Sequence, residues 1–126
     1  VGDLHQPMHL GRVDDLCGNK VTMNWFGKST NIHAIWDGQI TDSKNMSYSE
    51  FSTYLQDKFN PRKAEFQKFS VLQSIEASYA IRNAIYGYDK SDTNNYHYVY
   101  RFANDLDEML YRGGIQLANI LNEIYK

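Results

Sequence analysis

The stretch YHYVYRFANDLDEMLYRGGIQLANILNEIYK at residues 96–126 decides the fold class. Its apolar side chains recur at the three- and four-residue spacing of an amphipathic helix: Val99, Phe102, Leu106, Met109, Leu110, Leu117, Ile120, Leu121 and Ile124. The pair Gly113-Gly114 interrupts this stripe and predicts a kink or a division of the helix there. Because a helix with one apolar face must be covered by other elements, we expect an all-α fold.

Two more helices are predicted upstream of this stretch. The segment SYSEFSTYLQDKF (47–59) opens with Ser47 and has Glu50 three positions later, which is the spacing of a capping box. Pro61 suits the first turn of a following helix, whose apolar periodicity continues to about Tyr86. The polar cluster DKSDTNN (89–95) ends that helix.

The first forty residues are less regular. The segments are VGDLHQPMH (1–9), expected to end a helix, LGRVDDLCGNK (10–20), expected to be a loop, and KVTMNWF (20–26), which alternates like a short strand. N-cap candidates at 29–31 and an exit at Gly38 predict a short helix over about 31–38. The expected fold is therefore an all-α helical bundle with one short β-hairpin or extended loop near residues 18–28.

Composition limits the possible functions. With 126 residues, 42% of them apolar, the chain is expected to form one domain over residues 1–126 around a single core. Its formal net charge of −2 gives no broad basic surface, so a contact with nucleic acid would need a local positive site, which metal ions can supply. No apolar run reaches the length of about 20 residues that spans a bilayer, so no membrane contact is expected.

Four of the first forty residues are candidate metal ligands, with side chains of the kind that binds metal ions: Asp3, His9, His33 and Asp37. His33 and Asp37 lie four positions apart on the short predicted helix, so both side chains leave the same face. His9 would complete a set of two imidazoles and one carboxylate, which leaves open positions for water or phosphate. Such a His-x-x-x-Asp pair is also common as a simple helix hydrogen bond, so the pair alone does not decide the chemistry.

The wider pattern resembles the S1/P1 nuclease family. The matching segments are GDLHQPMH (2–9), GN (18–19), WFG (25–27) and TNIHAIWD (30–37), in the order and at the approximate spacing of that family. The match is dense over residues 1–40, and Cys17 departs from it where the family usually has glycine. The resemblance implies a helical bundle of the phospholipase C/P1 nuclease type.

The resemblance also implies roles for individual residues and a cluster of three zinc ions. Asp3 matches the catalytic aspartate that bridges two zinc ions, whereas His9, His33 and Asp37 match the ligands of the remaining, more open zinc. His5 does not match a ligand, and we expect it to support the ligands or simply to pack. Trp25 and Phe26 are candidate walls of the site, whereas Trp36, one position before Asp37, is expected to point into the core.

The activity implied by the resemblance is hydrolysis of single-stranded DNA and RNA, and of 3′-nucleotides, to products with 5′-phosphates. The family's upstream zinc ligands do not occur in this sequence. We therefore expect the chain to be the C-terminal part of a longer protein, to need its upstream N-terminal part as partner, and to be inactive alone. Because family members are exported, a secreted or periplasmic location is expected.

Two other functions fit parts of the pattern. A zinc-dependent phospholipase C would share the helical scaffold and the three-zinc arrangement but act on lipid. That family typically has Glu at the position of Asp37 and lacks the surrounding segment, which favours the nuclease. A noncatalytic helical interaction domain with a residual metal site is the second alternative, and the presence of all four candidate ligands argues against it.

Overall fold

The computed structural model describes all 126 residues and has the expected all-α architecture with a small hairpin. The elements are β1 (Thr22–Trp25), β2 (Lys28–Asn31), α1 (Ile32–Ala34), α2 (Ile40–Asp42), α3 (Tyr48–Phe59), α4 (Lys63–Phe66), α5 (Val71–Tyr86) and α6 (Asn95–Ile124). Short 3₁₀ turns occupy Gly2–His5, Pro7–Leu10 and Asn60–Arg62, and a π-helical turn at Ile35–Gln39 joins α1 to α2. None of the helices has both the length and the hydrophobicity that a bilayer span requires.

The hairpin lies slightly later in the chain than predicted. Its strands are antiparallel, with Thr22 opposite Asn31, so it covers 22–31 rather than 18–28. Phe26 and Gly27 form its tip with φ angles of 47° and 86°, as a tight two-residue hairpin turn requires. The Asn95 side chain accepts a hydrogen bond from the Phe26 amide (2.8 Å) and donates one to the Asn24 carbonyl (2.9 Å), which fastens the tip to the start of α6.

The core forms where α6 meets the first forty residues. Tyr98 and Phe102 of α6 are almost fully buried and pack against Trp36, whose indole N–H donates to the Tyr98 hydroxyl at 2.8 Å. The expectation that Trp36 points into the core is therefore confirmed. The buried apolar side chains of this core are Met8, Trp25, Ile32, Ile35, Trp36, Ile40, Phe51, Leu55, Phe59, Phe66, Ile85, Tyr98, Phe102, Leu106 and Tyr111.

The capping box predicted at Ser47 is confirmed, but the single helix predicted from Pro61 to Tyr86 is wrong. Ser47 and Glu50 exchange the expected pair of side-chain and backbone hydrogen bonds at the start of α3. The chain then makes a 3₁₀ turn and the short α4, and α5 begins only at Val71. The reason is a second capping box between Ser70 and Gln73, which starts a new helix at Val71.

Gly113 and Gly114 do not divide α6, which runs without interruption from Asn95 to Ile124. Gly113 packs directly against the His5 imidazole, and a Cβ at this position would lie 3.3 Å from His5 Cγ. Glycine in a helix interior costs about 1 kcal/mol relative to alanine. Here the missing side chain allows the turn Gly2–His5 to approach the helix. A packing requirement therefore explains Gly113, which the sequence pattern indicated as an interruption of the helix.

Two further boundaries differ near the N-terminus. Residues 1–9 do not end an α-helix but form two 3₁₀ turns, since Gln6 is extended and Pro7, which lacks an amide N–H, starts a new turn. The short helix does not end at Gly38 either. The π-helical turn carries the chain past this glycine, and helical structure continues to Asp42.

A buried carboxylate connects α6 to two other parts of the chain. Asp107 is only 1% exposed, and the ammonium groups of Lys44 and Lys58 lie 3.1 Å and 2.9 Å from its two oxygens. The Tyr54 hydroxyl donates a further hydrogen bond at 3.1 Å. Lys44 follows α2, and the other two residues belong to α3, so this carboxylate joins three segments through charged hydrogen bonds.

We expect the substitution Asp107→Asn to lower the free energy of unfolding by about 3 kcal/mol, because it leaves two partly buried ammonium groups without their counter-charge. Asp105→Asn is the matched control, since Asp105 lies two residues earlier and pairs with Arg101 at the surface. Its cost should stay below about 1 kcal/mol. Urea unfolding of both variants measures the difference, and equal effects would show that the buried cluster is not important for stability.

Candidate metal centre

Three of the predicted ligands come together at one point on the surface. His9 Nε2 lies 3.1 Å from Asp37 Oδ1, and His33 Nε2 lies 3.2 Å from Asp37 Oδ2. One ligand atom from each of these three residues lies within 4.8 Å of the other two, and the two imidazole rings stack with their centroids 5.3 Å apart. The four-residue spacing does place His33 and Asp37 on one face.

Local structure explains this convergence. Asn31 caps the helical segment 32–42 by accepting a hydrogen bond from the Ala34 amide at 2.8 Å, which fixes the turn that carries His33. Ile32 and Trp36, which flank the ligands, are buried and hold this segment against the core. His9 is supplied by the 3₁₀ turn Pro7–Leu10, which packs on α5.

The second ring nitrogen of each histidine has its own acceptor. His33 Nδ1 donates to the main-chain carbonyl of Cys17 at 2.8 Å, and His9 Nδ1 donates to Asp3 Oδ1 at 2.6 Å. Because carbonyl and carboxylate oxygens only accept, the proton of each neutral ring is on Nδ1. The lone pairs of both Nε2 atoms therefore face Asp37, which is the tautomer that a metal-binding histidine needs.

The charge of Asp37 also suits a cation. Partial burial would raise the pKa of the Asp37 carboxyl, but the hydrogen bond from Gln6 and, when their rings are protonated, the neighbouring His33 and His9 outweigh burial and hold this pKa below its usual value. The carboxylate is thus ionised at neutral pH. Two imidazole lone pairs and one carboxylate that face one another repel unless a cation lies between them, so these residues fit a divalent metal such as zinc.

The three side chains remain accessible from solvent. The exposed fraction rises from 18% for His33 to 30% for His9 and 48% for Asp37, so the centre is open on the side of Asp37. Structural zinc sites are closed by four protein ligands, whereas catalytic sites keep positions free for water or substrate. Three protein donors with an open side correspond to the second arrangement.

An unusual loop supports His33 from behind. Leu16, Cys17 and Gly18 have φ angles of 53°, 58° and 86°, so three consecutive residues are left-handed. This conformation directs the Cys17 carbonyl at His33. Gly18 is required sterically as well, because a Cβ there would lie 2.5 Å from the Met8 side chain and 2.6 Å from that of Ile32.

The remaining predicted residues occupy different places. Asp3 lies beside His9 with 76% of its side chain exposed, next to the three-donor group but outside it. His5 is buried against α6, where burial lowers the pKa of its imidazole. Trp25 is part of the core, whereas Phe26 is 46% exposed at the hairpin tip.

Two groups that contact the ligands received no role in the sequence analysis. One is the Cys17 carbonyl, which no sequence pattern can reveal because every residue has one. The other is Gln6, whose amide Nε2 donates to Asp37 Oδ1 at 2.7 Å. Gln6 lies inside the segment GDLHQPMH, so its place between Asp3 and His9 was the available signal.

Comparison with known proteins shows which proteins the chain is similar to. A family model described as S1/P1 Nuclease matches residues 1–126. Endonuclease 3 and endonuclease 5 of Arabidopsis thaliana are both 30% identical to the chain over alignments that cover 99% of it and 48% of each relative. Nuclease S1 of Aspergillus oryzae is 35% identical over 49 residues, which cover 39% of the chain and 17% of that protein. The chain thus spans about half the length of the two plant endonucleases.

We expect Cys17→Gly to raise the free energy of unfolding by about 1 kcal/mol, because glycine removes the cost of a left-handed L-residue. The contact to His33 should persist, since it uses the main-chain carbonyl. The control is Lys20→Gly in the same loop, a residue without positive φ, which should not gain stability. Thermal unfolding of both variants tests this, and a loss of stability in Cys17→Gly would contradict it.

Proposed function

The chain belongs to the S1/P1 nuclease family, and on this premise we propose that the protein is a zinc-dependent nuclease. Its proposed substrates are single-stranded DNA and RNA and 3′-nucleotides, and its proposed products carry 5′-phosphates. The observation that supports this best is the group of His9, His33 and Asp37, whose ligand atoms lie within 4.8 Å of one another on an open surface. A phosphodiester is an anion and resists attack, so its hydrolysis needs concentrated positive charge at such a site.

In this proposal His9, His33 and Asp37 would hold one zinc ion, and Asp3 would be the catalytic carboxylate that helps to hold further zinc ions beside it. When bound, zinc supplies positive charge that offsets the charge developing on the phosphoryl oxygens and allows a nucleophile to form at neutral pH. The chain's residues prepare the site for this. An imidazole that binds zinc through Nε2 is neutral, so only Asp37 would contribute a negative charge, and the three donors would repel an anionic phosphate less than a set of carboxylates would.

Asp3 is positioned to link the two parts of such a centre. One of its oxygens accepts the His9 Nδ1 hydrogen bond, and most of its side chain remains exposed beside the three-donor group. The Asp3 carboxylate thereby fixes the ring orientation of His9 and still presents its second oxygen outward. This arrangement supports a role for Asp3 next to the first metal position.

We propose that the upstream part of the same protein covers the apolar face beside the metal centre. Leu117, Leu121 and Ile124 of α6 are 47%, 43% and 64% exposed and follow one another along one side of the helix. A cavity of about 290 Å³ is lined by Leu117 together with His5 and Asp37, so the beginning of this face borders the metal centre. The endonuclease relatives are about twice as long as the chain, which leaves enough protein to cover it. For the whole protein we propose an exported, secreted or periplasmic location.

In the full-length protein, Asp37→Ala should reduce turnover of single-stranded DNA by more than 100-fold, beyond the roughly 10–100-fold effect of losing a group that only supports a ligand. The stability of the metal-free protein should change by less than about 1 kcal/mol, because Asp37 is half exposed. Asp42→Ala is the control, an exposed carboxylate on α2 that contacts no ligand. Unchanged hydrolysis at limiting zinc would remove Asp37 from the mechanism. Activity on phosphatidylcholine instead would favour a phospholipase.

Residues 1–126 expressed alone should bind zinc but not cleave single-stranded DNA. The chain has one group of three candidate ligands, and the only further candidate beside it is Asp3. We expect about one zinc ion per chain, measured by atomic absorption after dialysis, and no hydrolysis above background. Efficient cleavage by this chain would show that the roles proposed for Asp3 and for the upstream part are wrong.

A further inference from the structure

We propose that Gln6 is a positioning residue that directs the Asp37 carboxylate at the two imidazoles and thereby sets the affinity of the site for zinc. The inference rests on the proposed metal centre and assigns a role to a side chain that is not a ligand. Gln6 Nε2 donates to Asp37 Oδ1 at 2.7 Å. The two residues are 31 positions apart, so this bond connects the first turns of the chain to the segment that carries His33.

The orientation of the Gln6 side-chain amide is determined by the hydrogen bond that its oxygen accepts. Gln6 is the N-cap of the turn Pro7–Leu10, and its Oε1 accepts the hydrogen bond of the Met8 amide. Because an amide N–H can only donate, Oε1 must be the atom facing Met8, and Nε2 must face Asp37. Both ends of the side chain are thus engaged, one by the turn that carries His9 and one by a proposed ligand.

The backbone at Gln6 is also fixed. Its φ and ψ angles are −99° and 108°, and the next residue, Pro7, is buried. A residue before proline is restricted to extended conformations, so this geometry follows from the sequence Gln-Pro itself. The Gln6 side chain therefore extends from a rigid point, which a positioning group requires.

Asp37 needs such a partner more than the two histidines do. With 48% of its side chain exposed, the carboxylate is free to turn toward water unless a hydrogen bond holds it. Each of the three proposed ligands has a hydrogen bond to a group outside the site that matches its own chemistry. His9 donates to Asp3, and His33 donates to the Cys17 carbonyl. The Asp37 carboxylate can only accept, and it accepts from Gln6. Gln6 thus completes a set in which each of the three proposed ligands of this ion has a supporting hydrogen bond.

The test compares zinc affinity in the full-length protein for Gln6→Met and Gln6→Asn. Methionine has the same length but no amide. Asparagine is a good N-cap that can still accept from Met8, yet it is one methylene too short to hold the same bond to Asp37. Gln39→Met is the matched control, since Gln39 lies two residues after Asp37 and donates only to Thr30 Oγ1 at 3.1 Å.

We expect both Gln6 variants to bind zinc 10–100-fold more weakly at this site, measured by competition with a chromophoric chelator. The absorption bands of cobalt bound in place of zinc should also shift, whereas Gln39→Met should change neither reading. The metal-free thermal midpoint of Gln6→Asn should stay close to that of the unmodified protein, which separates positioning from folding.

Two different results would overturn the role of Gln6 or the metal centre on which it depends. If Asp37→Ala abolishes one zinc site while both Gln6 variants keep the unmodified affinity within twofold and an unshifted cobalt spectrum, Gln6 has no positioning role and the proposed metal centre stands. If Asp37→Ala leaves both the zinc stoichiometry and the affinity unchanged, the metal centre itself is wrong, and the inference about Gln6 fails with it.

Discussion

The mutual repulsion of three hydrogen-bond acceptors is the constraint that organises this part of the molecule. Two imidazole lone pairs and one carboxylate converge within 4.8 Å, and no side-chain proton is held between them when both rings are neutral. Such an arrangement persists only if each acceptor is held from outside. The outer contacts are a carbonyl, a carboxylate and an amide, which together involve three separate segments of the first forty residues.

The rest of the fold supplies the rigidity for these contacts. α6 presents the buried Tyr98 and Phe102 to the segment 32–42 and leaves the apolar side chains of its final turns exposed. The hairpin is fastened to the start of α6 by Asn95, so the strand that leads into the ligand segment cannot move independently. The ligands themselves lie on short turns, whose low intrinsic stability is compensated by packing on these longer helices.

Much of this could be predicted from the sequence, and the failures have physical causes. The helical class and the Ser47 cap follow from local patterns, and the meeting of His33 with Asp37 follows from helix geometry. The continuity of α6 could not be predicted, because Gly113 is explained by a contact with His5 more than one hundred positions away. The left-handed Cys17 was equally hidden, since nothing in a cysteine side chain indicates that conformation.

The π-helical turn at Ile35–Gln39 makes the number of residues in this segment as important as their identity. A π-turn contains an extra residue relative to an α-helix and is often found at functional sites. Deleting one residue between His33 and Asp37 would shorten their spacing from four residues to three and change their relative direction by about 100° around the helix axis. Asp37 Oδ2 would then no longer lie opposite His33 Nε2 as it does now. Natural variation in this segment should therefore occur by replacement, and insertions or deletions should be confined to the loops on either side.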